Sequence, residues 1–93
     1  MNSYQLKMYE RLDYLLDLYF KAFPNDSLSN ARSRILNELK VRGEIEKYKY
    51  DSTTDMTIIN NDLKSNNVIH WGSCVGSDVK YRVCLLPQNE KIF

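Results

Sequence analysis

No stretch of this chain carries a reaction signature, and the residues that build such signatures are scarce. Its three glycines, at positions 43, 72 and 76, are wrongly spaced for a phosphate-cradling loop. The single histidine, His70, and the two cysteines, Cys74 and Cys84, form neither a Cys-x-x-Cys motif nor a spaced His pair, so a zinc centre lacks ligands. The N-terminal Met1-Asn2-Ser3-Tyr4-Gln5 shows no charged region followed by an apolar one, as a signal peptide would. Two cysteines without an export signal read as free thiols. No apolar run approaches the roughly 20 residues that a bilayer span needs. A cytoplasmic protein with no membrane contact is the expectation. Charge of one sign is lacking too, with 13 basic and 12 acidic residues. That balance argues against a dedicated non-specific nucleic-acid binder and against an acidic mimic of DNA. The carboxylates are scattered without a pair in an evident cleft, so neither an enzyme nor a cofactor is expected.

What is present is ordinary globular material. At 93 residues, 43% hydrophobic and 27% charged, the sequence reads as one small domain spanning 1–93 with a modest core. Asn occurs nine times and Lys eight, against two Ala, a usage that suits an AT-rich genome such as those of many phages and plasmids.

The most legible stretch is 27–50. Leu28, Ala31, Ile35, Leu36 and Leu39 recur at intervals of three and four and so share one helical face. Asp26 or Ser27 caps the start, and Gly43 supplies the left-handed residue that ends the helix. Arg32 falls inside the apolar face and needs a carboxylate, a carbonyl or a route to solvent. After Gly43, Glu44-Ile45-Glu46-Lys47-Tyr48-Lys49-Tyr50 reads as a strand, with lysines of the kind that guard a sheet edge. Strict alternation fails there, because Tyr48 and Tyr50 are out of phase with Ile45.

Residues 4–23 form the first helix. Tyr4, Met8, Leu12, Leu15, Leu16, Tyr19, Ala22 and Phe23 lie on one side, and Tyr9 and Phe20 widen the arc to roughly 160°, beyond the roughly 100° stripe that one packing partner requires. Either the helix is clamped between its neighbour and a sheet, or part of the arc is a self-association face giving a homodimer. Pro24 and Asn25-Asp26-Ser27 break the chain, making the two helices antiparallel neighbours. Residues 56–63 fit a helical face capped by Thr54, but Thr57-Ile58-Ile59 is β-branched and the reading favours a strand.

Residues 68–86 form a hairpin around Gly76-Ser77-Asp78. A three-residue loop sets Trp71 against Val83 and Ile69 against Leu85, gathering one apolar face. His70, Cys74 and Cys84 then share the other face, with Cys84 opposite His70 as a half-buried thiol beside a surface imidazole. Pro87 ends the strand, and 88–93 reads as a loose tail. The expected architecture is α+β, an N-terminal antiparallel helix pair packed on an antiparallel sheet of three to four strands.

Two functions are consistent with this reading. The first is a small non-enzymatic binding protein, an inhibitor of the phage or mobile-element type directed at a host protein. Its contact surface would draw on Arg32, Arg34, Lys40, Arg42, Lys47, Tyr48, Lys49 and Tyr50, since tyrosine and arginine dominate hot spots. The second is a winged-helix-like regulator using Arg34, Lys40, Arg42, Lys47 and Lys49 on nucleic-acid phosphates. Arg32 to Lys49 is the only local positive excess, and three glutamates interrupt it.

Overall fold

A computed structural model of the chain describes residues 1–72 and 80–87. Helices α1 (Ser3–Ala22) and α2 (Leu28–Val41) precede strand β1 (Ile45–Tyr50), helix α3 (Met56–Lys64) and strands β2 (Val68–Gly72) and β3 (Lys80–Leu85). The described strands form one antiparallel sheet in the order β1-β3-β2, so β1 and β2 run parallel to each other on either side of β3. The expected helix pair on a small antiparallel sheet is the observed fold.

Local chemistry explains the helix boundaries. Asn2 caps α1 in a reciprocal box: its side chain accepts from the Gln5 backbone at 2.9 Å, and the Gln5 carbonyl Oε1 accepts from the Asn2 backbone at 2.8 Å. Ser27 caps α2, accepting from Asn30 N–H at 3.0 Å. Gly43, at φ +72°, follows α2 in the left-handed conformation that costs other residues a Cβ clash.

The bulge in β1 resolves its irregular pattern. Ile45 pairs with Leu85 but Lys47 with Cys84, leaving Glu46 as the extra residue. Ile45, Tyr48 and Tyr50 thereby share one face with Leu85, Val83 and Tyr81, and Ile69 and Trp71 join them from β2. Leu12, Leu36, Ile69, Val83 and Leu85 at its heart are fully buried. Each such side chain contributes roughly 1.5–3 kcal/mol relative to exposure. The core forms where α1 and α2 cover this face, α1 over β2 and α2 over β1. The first helix is thus clamped between its neighbour and the sheet.

Two expectations are corrected. Residues 56–64 are a helix, not a strand. Asp55 rather than Thr54 caps it, accepting from Thr57 N–H at 2.9 Å, and Asn66 at φ +72° follows its end, a left-handed role that asparagine tolerates. The cap and tertiary packing override the β-branched run. The hairpin register also differs by two residues: Trp71 pairs with Tyr81 and Ile69 with Val83. A shift of two keeps every side chain on its expected face, and Leu85 lies across from Ile45 of β1 instead. Cys84 accordingly faces Val68, and Arg82 faces His70. The proposed turn at 76–78, Cys74 and the tail at 88–93 lie outside the described residues.

Helix α3 packs on β2 from the side opposite α2, so the sheet separates the two. A helix-turn-helix pair of α2 and α3, which a winged helix requires, is not what these elements form.

Candidate functional site

Three places on the described residues concentrate chemistry. The first is buried between α3 and the sheet. Asp62 on α3 receives Arg82 in a two-pronged contact, Nε to Oδ2 at 3.0 Å and Nη2 to Oδ1 at 3.2 Å, while His70 Nε2 donates to Oδ2 at 2.7 Å. The Arg82 bond, reinforced by His70, holds the Asp62 carboxyl below the usual carboxylate range, against the opposing effect of burial. Arg82 Nη1 also lies 3.2 Å from Cys84 Sγ. His70 is not a surface imidazole as expected: its side chain is 4% exposed, and buried Nδ1 has no hydrogen-bond partner. The cluster ties α3 to β2 and β3 as a polar latch across the seam. The sequence hid it, because reading 56–63 as a strand removes Asp62 from reach of His70.

The second place is the outer groove between α1 and α2, a depression of about 400 Å³. Leu15, Leu18, Ile35 and Leu39 form its floor, with Arg11, Arg34, Glu38 and Arg42 around the rim. Leu18 is exposed although apolar. Arg11 is tied to Glu44 at 2.8 Å and Arg42 to Glu38 at 2.9 Å. At one end the Tyr19 hydroxyl donates to Asp26, and Arg34 Nη1 donates to that hydroxyl at 3.3 Å. Bonds from Tyr19, then Asn30 and the Ser27 backbone, lower the Asp26 pKa, and Tyr19 raises that of Arg34. Leu18 lay outside the apolar arc read from the sequence. Its solvent-side placement beside Leu15 was the available signal.

The third place is the sheet face turned away from the helix pair, where Lys47, Lys49, Arg82 and Cys84 line a cleft of about 180 Å³.

The eight residues nominated from sequence do not share one surface. Arg34 and Arg42 meet at the helix groove. Lys47 and Lys49 stand on the far sheet face, across from Cys84 and Arg82. Tyr48 and Tyr50 pack edge-on against Tyr81, with centroids 6.0 and 5.6 Å away. Lys40 is exposed on α2. Arg32 is buried, its guanidinium 5.4 Å over the Trp71 ring, whose indole N–H donates to Asp13 at 3.0 Å. Burial pushes the Arg32 pKa down, and the Asp13 charge opposes that shift.

Among the described residues no three His, Cys, Asp or Glu side chains converge to hold a metal ion, and no helix is long and apolar enough to cross a membrane. No protein-family model, curated protein sequence or solved structure matches this chain.

Proposed function

We propose that this chain is a small non-catalytic binding protein that acts by covering a surface of another protein, in the manner of a phage or mobile-element inhibitor. The observation that carries the reading is the α1–α2 groove, where an apolar floor stays open to solvent beneath a rim of three arginines. Two antiparallel helices offer a third the ridges and grooves it needs to pack. The matching partner segment is an amphipathic helix with leucine-like side chains on one face and flanking carboxylates. Arg34 is the rim arginine without an ion pair among the described residues, its Nη1 donating to the Tyr19 hydroxyl, which makes it the one best placed to meet such a carboxylate. Arginine also keeps its charge and its forked donors when an interface dries.

Affinity capture from the native host, with and without nuclease, tests the proposal when run on wild type beside a Leu18→Asp, Arg34→Glu variant. The expected result is a nuclease-resistant protein that the variant fails to retain while keeping its fold by circular dichroism. Equal capture by both would refute the groove as the contact. A wild type that elutes as a dimer, with a monomeric variant, would make a second copy the occupant.

A further inference from the structure

The sheet face away from the helix pair carries a row of cations that the protein's own acids leave largely unanswered. Side chains alternate along a strand, so Lys47 and Lys49 of β1 point opposite to Tyr48 and Tyr50 and share their face with Lys80 and Arg82 of β3. Lys49 lies directly across from Arg82. The four stems occupy two adjacent strands over roughly 13 Å, taking about 3.3 Å per residue. Helix α3 covers only the β2 side of this face, through Asp62 and His70. The β1–β3 side stays open, with the cleft of about 180 Å³ between Lys47, Lys49 and Arg82.

Two carboxylates beside this row, Asp62 and Asp51, are engaged within the fold. Asp62 holds Arg82 and His70, and Asp51 turns back on its own loop to accept from Thr53 N–H at 3.0 Å. Lys47, Lys49 and Lys80 make no ion pair among the described residues, Lys47 and Lys49 being exposed and Lys80 Nζ donating to the Thr53 carbonyl at 3.5 Å. A chain whose total charge is only +1 thus concentrates positive charge on one open surface, on the opposite side of the sheet from the groove.

We infer that this face binds the phosphate backbone of a nucleic-acid duplex. Lysines act as mobile point charges that suit phosphate oxygens without reading sequence. A single strand is the poorer fit, because its recognition relies on aromatic platforms for stacking. The tyrosines of this sheet, Tyr48, Tyr50 and Tyr81, belong to the opposite face and pack against one another. The inference is independent of the groove. Together the two surfaces would let the chain sit between a protein and a duplex.

Fluorescence anisotropy with a short labelled DNA duplex across a salt series tests it. Three lysine–phosphate contacts predict a slope of log K against log salt of about −2.7. Each of Lys47→Gln, Lys49→Gln and Lys80→Gln should flatten that slope by roughly 1, and the triple variant should abolish binding. Lys7→Gln with Lys21→Gln, both exposed on α1, should leave binding unchanged. The single variants keep the test decisive even if the triple variant unfolds. No complex at low salt, or wild-type affinity in the lysine variants, would overturn the inference. Tighter binding of the single strand, or equal competition by polyglutamate, would overturn the duplex assignment.

Discussion

The Asp62 carboxylate and the His70 imidazole meet at 2.7 Å across the seam between α3 and the sheet. An ionised carboxylate only accepts, so the contact places the imidazole proton on Nε2. Arg82 closes the same carboxylate from the other side. Helix α3 has no fully buried residue of its own, so this polar latch is a principal tie between it and the sheet. Asp62→Asn should cost about 1–3 kcal/mol at neutral pH, the usual loss when a charge-assisted bond is broken. Urea titration followed by circular dichroism measures it.

The same carboxylate sets a pH window. Its folded-state pKa lies below the unfolded value, chiefly through Arg82. The stabilisation is therefore complete above the unfolded carboxylate pKa and fades as pH falls through the folded one, from about pH 4 downward. Stability measured at pH 7, 5, 4 and 3 (chosen around about 4) should drop steeply at the acid end. Asp62→Asn should flatten that drop without removing it, because Asp26 is lowered in the same sense.

Among the described strands β2 ends the sheet, and side chains of α1 occupy its outer edge. The Tyr9 hydroxyl accepts from the His70 backbone N–H at 3.1 Å and donates to the His70 carbonyl at 2.9 Å. Gln5 Nε2 donates to the Val68 carbonyl at 3.0 Å and to that of Leu63 at 2.9 Å. Tyr9→Phe keeps the ring and removes these two bonds to His70. It should destabilise the fold by about 1–3 kcal/mol and leave an unguarded edge open to self-association. Light scattering against concentration should then show larger species that wild type lacks.

Arg32 lies over Trp71, the only tryptophan in the chain. Arg32→Lys keeps the charge but loses the planar group that stacks on the indole, at an expected cost of about 0.5–2 kcal/mol. The indole emission should shift to the red in the folded variant as its cover is lost. An unchanged spectrum would place the stabilising contact elsewhere.

Gly43 isolates a purely conformational cost. A Cβ added there meets nothing within 4 Å, so Gly43→Ala adds no clash with neighbours. Its left-handed φ should alone cost about 1 kcal/mol, readable as a fall in Tm.

The fold was legible wherever a single element declares itself. The periodicity of α1 and α2, the Ser27 cap and Gly43 all act within a few residues, and the sequence carries each of them openly. Relationships between elements were less visible. The register of β2 on β3 was chosen by pairing apolar residues within the hairpin, yet Leu85 belongs with Ile45 of a third strand. That competition is absent from a hairpin considered alone. The bulge at Glu46 was visible only as a failed alternation. Asp62, His70 and Arg82 come together through a helix–strand turn and a strand pairing at once, which no local pattern encodes. Among the nominated contact residues, the helix and sheet members parted because α2 and the far sheet face lie on opposite sides of the core.

Photocrosslinking from the groove tests the central claim most directly. A photoreactive amino acid at Leu18, exposed on the groove floor, is compared in the native host with one at Asp17, its neighbour on the outer side of α1. The account predicts one discrete protein adduct from position 18 and none from position 17. Equal adducts from both positions, or none from position 18, would contradict it.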